Sequence, residues 1–481
     1  GMHDLQYTTE RGSTMVFSNL FFLYLFFPIC FISYFATKNA TRNTVLILFS
    51  LLFYAWGEPV FLWLLLLSSV INFAIGKGME RHADQPIGKI AFGFGLIFNL
   101  GFLLVFKYTG FLIENLNAVF SSHIPIPDMH LPIGISFYTF RALSYIIDCY
   151  WGKVKPEKSY PQFLLFLSLF PTIVAGPIVR YSTIGHELRS RTVTPTDLSE
   201  GFTRIVIGLS KKVILSDHLG DIVTQFLGND VIGNQTTLGA WYGVILYSMQ
   251  IYFDFSGYSD MAIGIGRVFG FHFDENFRHP FLCKDITEFW QRWHISLGTF
   301  FRDYVLYIPI FGKRRKYGGL FLVWFCTGLW HGASWNYIIW GLYYGCFVLF
   351  EQLMGKKRMR SIPIVLRHLY NKLVIIIGFG IFYFEDTKKL GIFLKTLFGF
   401  GGNGFSNAIV TTSFQNNVFL ILLALICCFP LLKIPKAMMQ KSPAMHITLS
   451  FAGTLCCVAL LIISSILLVD ATNKPFLYLR F

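Results

Sequence analysis

Two histidines that each follow a tryptophan are the residues of this sequence best suited to acid–base chemistry. His294 lies in EFWQRWHISLGTFFRDYV and His331 lies in TGLWHGASWNYIIWG. A neutral imidazole, with an ordinary pKa of about 6.5, accepts or donates a proton near neutral pH. The alternative for His331 is a hydrogen-bonded packing role in an apolar helix, and the alternative for the segment around His294 is a solvated interfacial helix. The residues alone leave proton-coupled transport and group transfer both open.

The run from 317 to 350, which contains His331, has no Asp, Glu, Lys or Arg. It is longer than the roughly 20 residues that one membrane crossing needs. We therefore expect a helical hairpin or a broken helix, loosened at Gly332 and Ser334. The run around His294 is compatible with a helix in which Glu288, Arg292 and Asp303 pair with neighbouring residues.

The composition explains which elements must position these histidines. The chain has 481 residues, of which 54% are hydrophobic and 14% charged, whereas soluble proteins have about a quarter of charged residues. Other charge-free runs cover 15–37, 231–253, 396–432 and 442–469. We predict an all-α polytopic integral membrane protein, a helical bundle with roughly 11 to 13 membrane segments, some of them re-entrant.

The positive charge is concentrated in short loops. The formal net charge is +14, and basic clusters lie at 76–82, 152–158, 312–316 and 355–360. The positive-inside rule assigns these loops to the cytoplasm, where they face anionic lipid. Because no basic element stands outside the membrane segments, nucleic acid is not expected as a partner. The nine cysteines lack the spacing of a zinc site, and no metal is expected.

Ionisable residues inside apolar runs are costly and mark candidate functional positions. Arg141 and Asp148, seven residues apart on one helical face, are either functional or a helix-packing pair. In FPTIVAGPIVR, Pro171 and Pro177 predict a kinked or re-entrant segment. The stretch 200–223 mixes lysines with apolar residues at helical spacing, which favours an interfacial amphipathic helix.

The motifs, taken together and in order, resemble the membrane-bound O-acyltransferase (MBOAT) family, in its bacterial alginate O-acetylation branch. They include LPIGISFYTFRALSYIIDCYWG, FPTIVAGPIVR, YFDFSGYSDMAIGIGRVFGFHFDENFRHPF and TGLWHGASWNYIIWGLYYG. The resemblance implies a helical bundle around a central tunnel, with His331 as the essential histidine and His294 as a second landmark histidine. It also implies acetyl-CoA as the acyl donor and no permanently bound cofactor.

The last residues of the sequence carry a second resemblance. Phe476, Tyr478 and Phe481 form an F-x-Y-x-x-F pattern, similar to a motif that these acyltransferases carry or receive from a partner peptide. The family mechanism for this motif uses the tyrosine as a relay nucleophile, which makes Tyr478 a candidate catalytic residue. An aromatic anchor at the membrane interface is the alternative.

The resemblance implies transfer of an acetyl group from cytoplasmic acetyl-CoA to an extracytoplasmic polysaccharide, either an exopolysaccharide or peptidoglycan. The implied partner is an extracytoplasmic acetyltransferase of the SGNH hydrolase type, and the implied location is the bacterial cytoplasmic (inner) membrane. D-alanyl export to teichoic acid is the alternative within the family. A lipid-linked sugar flippase or secondary transporter is the alternative outside it.

The domain organisation follows from the same patterns. Residues 1–14 are polar and precede the first apolar run, so we expect them to be a leader foreign to the native protein. Residues 15–481 are expected to form a single membrane domain of the MBOAT type, with the F-x-Y-x-x-F motif at 476–481.

Overall fold

The computed structural model describes residues 16–82, 85–306, 308, 316–470, 474 and 476–477. All regular structure in this part of the chain is helical, which confirms the all-α prediction. The α-helices are α1 (Phe27–Ala36), α2 (Arg42–Gly57), α3 (Leu62–Arg81), α4 (Pro86–Leu103), α5 (Thr109–Phe120), α6 (Ile135–Tyr150), α7 (Tyr160–Ser168), α8 (Tyr181–Arg189), α9 (Pro195–Ser210), α10 (Asp217–Leu227), α11 (Thr237–Val268), α12 (Ile286–Trp290), α13 (Ile295–Tyr304), α14 (Lys316–His331), α15 (Trp335–Ser361), α16 (Ile364–Tyr383), α17 (Thr387–Leu397), α18 (Ala408–Cys427), α19 (Lys433–Met439) and α20 (Pro443–Asp470).

Short π-helical and 3-10 segments interrupt or join these helices. The π-helical segments are Phe22–Phe26, Leu104–Tyr108 and Lys211–Ser216. The 3-10 segments are Asn39–Thr41, Phe170–Thr172, Ile232–Asn234 and Pro280–Leu282.

Within the described residues, 6 helical segments are long and apolar enough to cross a membrane. They are Leu62–Arg81, Pro86–Phe120, Trp335–Ser361, Ile364–Tyr383, Ala408–Cys427 and Pro443–Val469. The protein is therefore a multi-pass membrane protein. The larger number of roughly 11 to 13 segments includes shorter and broken helices, and it stays a prediction.

The chain divides into two compact units. The described part of the first unit comprises 16–82, 85–205 and 259–275, and the second unit lies within 206–258 and 276–477. The proposed leader at 1–14 lies outside the described residues. The single membrane domain over 15–481 stays a prediction.

In the first unit, the chain breaks its helix as predicted, and the fully buried Arg141 binds backbone carbonyls at the break. The chain leaves α7 through the 3-10 segment Phe170–Thr172 and regains α-helical structure only at Tyr181, which confirms the break. The guanidinium of Arg141 donates to the carbonyl oxygens of Phe166, at 3.1 Å, and of Thr172. Broken helices leave carbonyls without intrahelical partners, and Arg141 satisfies some of them. The sequence predicts either a functional role or a helix-packing role for Arg141, and these contacts support the packing role.

In the second unit, the charge-free run forms the expected hairpin. Helix α14 ends at His331 and α15 begins at Trp335, so the chain turns where Gly332 and Ser334 predicted a loosened helix. Two glycines allow the two helices to approach closely. A Cβ atom on Gly328 would lie 2.4 Å from the Tyr337 carbonyl oxygen, and one on Gly341 would lie 2.4 Å from that of Trp324. No other residue fits at such a distance.

The single helix expected around His294 is wrong. Helix α12 ends at Trp290 and α13 begins at Ile295. Between them His294 adopts the left-handed conformation, with φ of 43° and ψ of 53°. This conformation is costly for a residue with a Cβ atom and persists only where surrounding contacts hold it. One such contact is the hydrogen bond from the Ile295 amide to the Asn276 carbonyl oxygen, at 3.0 Å.

Candidate active site

His331 is the last residue of α14, and its side chain is 2% exposed. Its Nδ1 lies 2.7 Å from the carbonyl oxygen of Thr327, one helical turn earlier. A carbonyl oxygen only accepts hydrogen bonds, so Nδ1 carries the proton and donates. In the neutral ring, the lone pair is then on Nε2. The backbone of α14 thereby fixes the tautomer that a general base at Nε2 requires.

Aromatic rings enclose the His331 imidazole. The ring centroids of Trp330, Trp340 and Phe382 lie 4.9, 4.6 and 5.5 Å from that of His331. With these rings around it, His331 has almost no surface accessible to solvent. Exclusion of water protects an acyl donor from hydrolysis and strengthens electrostatic interactions at the reacting atoms.

His294, 1% exposed, is held in the same tautomer by a side chain. Its Nδ1 lies 3.2 Å from Oδ1 of Asn276. The same Oδ1 accepts the backbone N–H of Ser296 at 3.2 Å. Because that N–H only donates, the Asn276 amide presents its oxygen, and His294 Nδ1 must donate to it. The lone pair of the neutral His294 ring is therefore also on Nε2.

The structure brings the two predicted histidines together around one indole. The Trp330 ring lies 4.9 Å from His331 and 5.6 Å from His294, measured between ring centroids. All three residues belong to the second unit. The candidate active site of the described chain is this pair of imidazoles.

Several residues that position the site were missed at the level of sequence. Asn276 and Thr327 fix the tautomers, as described above. Asn336 donates to the Phe382 carbonyl oxygen at 3.2 Å, and so ties the start of α15 to the end of α16, beside the His331 ring. Burying an amide without a hydrogen-bond partner is costly. The presence of Asn336 in a charge-free run therefore could have predicted a partner for its side chain.

Tyr478, the third predicted catalytic residue, lies outside the described residues, as does Phe481. Phe476 and Leu477, just before it, belong to the second unit, and Phe476 is fully buried. Among the described residues, no group of three or more His, Cys, Asp or Glu side chains could hold a metal ion.

Comparison with known proteins identifies the family. The sequence model of the membrane-bound O-acyltransferase family matches residues 154–385, which include both histidines. The probable alginate O-acetylase AlgI of Pseudomonas aeruginosa is 38% identical over 400 residues, covering 80% of this chain and 75% of that protein. The chain belongs to the membrane-bound O-acyltransferase family.

Two further relatives agree with this membership. The probable alginate O-acetylase AlgI of Azotobacter vinelandii is 35% identical over 507 residues, covering 97% of this chain and 100% of that protein. The peptidoglycan O-acetyltransferase of Helicobacter pylori is 33% identical over 371 residues, covering 70% of each chain. As a member of the membrane-bound O-acyltransferase family, the protein is an enzyme that transfers an acyl group from an acyl donor to a hydroxyl.

Proposed function

We propose that the protein transfers an acetyl group from cytoplasmic acetyl-CoA, across the inner membrane, to hydroxyls of an extracytoplasmic polysaccharide. The observation that carries the proposal is the tautomer of His331, in which Nδ1 donates to the Thr327 carbonyl oxygen and Nε2 is the acceptor nitrogen of the neutral ring. The names of the relatives, an alginate O-acetylase and a peptidoglycan O-acetyltransferase, support an exopolysaccharide or peptidoglycan as acceptor.

In the first step, Tyr478 is the nucleophile and His331 the general base. A phenol with a pKa of about 10 is a weak nucleophile until a base takes its proton. His331 Nε2 accepts that proton while the phenol oxygen attacks the thioester carbonyl carbon. The C–S bond breaks, and the departing CoA thiolate takes the proton back from the imidazolium. The products are acetyl-Tyr478, the CoA thiol and a neutral His331.

In the second step, an acceptor hydroxyl attacks the tyrosyl ester. The C–O bond to the phenol breaks, the acceptor oxygen becomes acetylated, and the phenol oxygen receives the acceptor's proton. The acceptor is either the sugar itself or the nucleophilic hydroxyl of a partner acetyltransferase of the SGNH hydrolase type. An aryl ester suits this role because a phenolate is a better leaving group than an alkoxide.

His294 has a supporting role in this scheme. Its Nε2, like that of His331, is the acceptor nitrogen of the neutral ring. We assign it to orienting the donor or to moving the proton between the phenol and the leaving thiolate. Its contact with Trp330, the indole that also contacts His331, supports the assignment.

Isotope-labelled acetyl-CoA tests the proposal. The purified full-length protein is incubated with the labelled donor, and the modified peptide is identified by mass spectrometry. We expect the label on Tyr478, and no label in Tyr478→Phe or His331→Ala. The exposed Tyr150 provides the matched control, Tyr150→Phe, which should be labelled like the unmodified protein.

Three outcomes contradict the proposal. Label on another residue excludes the Tyr478 relay. Turnover of a D-alanyl thioester, but not of acetyl-CoA, identifies the D-alanyl exporter. The absence of turnover with both thioesters favours a flippase or transporter.

A further inference from the structure

A buried charged cluster lies in the second unit, outside the histidine pair. Nζ of Lys212 is 2.7 Å from Oδ1 of Asp254 and 2.8 Å from Oδ1 of Asp217. Lys212 and Asp254 are almost completely buried. One ammonium thus lies between two carboxyl groups. Buried ion pairs are weak sources of stability, so a positioning role is a better reason for such a cluster.

The local backbone directs Lys212 inward. Its segment, Lys211–Ser216, is π-helical, and π-helical turns are frequent at functional sites because they shift the register of the side chains. The neighbouring α11 approaches closely, since a Cβ atom on Gly257 would lie 2.7 Å from the Gly208 carbonyl oxygen. Lys212, within the stretch predicted to be an interfacial amphipathic helix, is therefore buried.

The cluster binds the described residues of the F-x-Y-x-x-F motif. The backbone N–H of Leu477 donates to Oδ2 of Asp254 at 2.8 Å. Nζ of Lys212 lies 4.9 Å from the centroid of the Phe476 ring, which is a cation–π contact. The Phe476 ring also packs edge-on against Tyr258, with centroids 4.8 Å apart. Three independent contacts thus hold this two-residue segment.

The same turn of α11 contacts the histidine pair. Phe255 follows Asp254 in sequence, and its ring centroid lies 4.7 Å from that of His294, at an interplanar angle of 87°. Two successive residues of one helix therefore contact the Leu477 amide and the His294 ring. Movement of one contact relative to the other is limited by the helix backbone between them.

We propose that Lys212 and Asp254 anchor the segment Phe476–Leu477 and act as positioning residues for acyl transfer through the adjacent Tyr478. The anchor itself follows from the contacts above, and its part in transfer rests on the proposed function. Leu477 directly precedes Tyr478 in sequence. A nucleophile that is held in the geometry of attack reacts faster, because less translational and rotational freedom remains to be lost in the transition state.

Two variants release the segment by different routes. Phe476→Ala removes the ring from the cation–π and edge-on contacts and leaves the ion pair intact. The second, the triple variant Lys212→Met/Asp217→Asn/Asp254→Leu, removes the ammonium together with both of its carboxylates and the acceptor of the Leu477 amide, so that no charge of the cluster is left unpaired. Lys211→Met is the matched control, because Lys211 lies over the Tyr252 ring at 5.9 Å instead of in the cluster.

The anchor is tested by the rate of hydrogen–deuterium exchange in the peptide 474–481, measured by mass spectrometry on the full-length protein. Amides that lose a buried acceptor exchange faster. We expect faster exchange of this peptide in both releasing variants, with other peptides and the Lys211→Met control unchanged. Unchanged exchange in both releasing variants would overturn the anchor, whatever the activity.

The kinetics of tyrosine acetylation test the positioning role. We expect kcat to fall by about 10²-fold in both releasing variants, the scale of a misplaced reacting group, while KM for acetyl-CoA stays unchanged. Full kcat together with faster exchange would overturn the positioning role. Faster exchange in the variants, with no label on Tyr478 even in the unmodified protein, would support the anchor and refute the relay.

Discussion

His272, in the first unit, and His331, in the second, carry the same side chain in opposite electrostatic settings. The Nδ1 of His272 lies 2.7 Å from Oε1 of Glu187, and its Nε2 lies 3.1 Å from Oδ1 of Asp197. Burial alone would lower the pKa of His272, but the hydrogen bonds and charges of Glu187 and Asp197 outweigh burial and raise it above 6.5. The two carboxylates therefore favour the protonated form of this imidazole.

His331 has no carboxylate at the nitrogen described above. Its Nδ1 donates to a carbonyl oxygen of its own helix, and rings enclose the rest of the imidazole. A carboxylate neighbour stabilises the charged ring, whereas a carbonyl neighbour fixes the tautomer without adding a charge. The surroundings of His272 thus favour the charged ring, whereas the Nδ1 contact of His331 selects one tautomer of the neutral ring.

The largest effect is expected from removing the neutral histidine. His331→Ala should lower acetyl transfer by about 10²- to 10⁴-fold, the contribution of a general base. The measurement is the release of CoA thiol by the purified protein.

His272 supplies the control. His272→Gln should retain the transfer rate, because that residue belongs to an ion-pair network of the first unit. Equal losses in the two variants would refute the division of roles between them.

The second prediction concerns the hairpin that presents His331. Gly341→Ala places a methyl group 2.4 Å from the Trp324 carbonyl oxygen, and the backbone must separate to admit it. Overpacking of this kind costs about 1–3 kcal/mol. We expect a lower melting temperature, measured by intrinsic fluorescence in detergent, and reduced transfer.

Gly453→Ala is the matched control, since a Cβ atom on Gly453 would meet no atom within 4 Å. In a helix, that replacement should leave the melting temperature equal or slightly higher. An unchanged melting temperature in Gly341→Ala would mean that the close approach of α14 and α15 is dispensable.

Features set by local sequence could be predicted. The hairpin followed from the length of the charge-free run and from Gly332 and Ser334 within it. The break after α7 followed from Pro171 and Pro177. Each depends on residues within a few positions of the feature, and proline and glycine act on the backbone wherever they occur.

Features set by tertiary contacts could not be predicted. Asn276 is 18 residues from His294 in sequence, and only the turn between α12 and α13 brings the two together. Lys211 and Lys212 are adjacent lysines in a stretch of mixed polar and apolar residues, and the π-helical turn that contains them leaves no mark on hydrophobic periodicity.

The third prediction gives His294 a carboxylate neighbour like the one that His272 has. Asn276→Asp keeps the shape of the side chain and the acceptor for Ser296, but it places a carboxylate at Nδ1 of His294, as Glu187 does for His272. The charged ring then becomes more stable. We expect transfer to fall by about tenfold at neutral pH.

Part of that loss should return as the pH rises, because the imidazolium then loses its proton. The measurement is the pH profile of kcat, beside Asn276→Ala, which removes the oxygen without adding a charge. A loss that is the same at every pH would show that His294 does not need to be neutral.

The smallest effect is expected on stability in the first unit. The pKa of His272 is raised on folding, so its contribution to stability is complete below about 6.5, the ordinary value. This contribution to stability is lost as the pH rises through the raised pKa of folded His272. Because the His272 side chain is 50% exposed, solvent screening keeps the contribution below about 1 kcal/mol.

The melting temperature of the unmodified protein, measured from pH 6 to pH 9 in detergent, should therefore contain a small decline that His272→Gln lacks. A glutamine still donates to one carboxylate but does not titrate, so it separates the charge from the hydrogen bond. If both proteins showed the same decline, other groups would account for it. The cationic state of His272, and with it the contrast with His331, would then have to be abandoned.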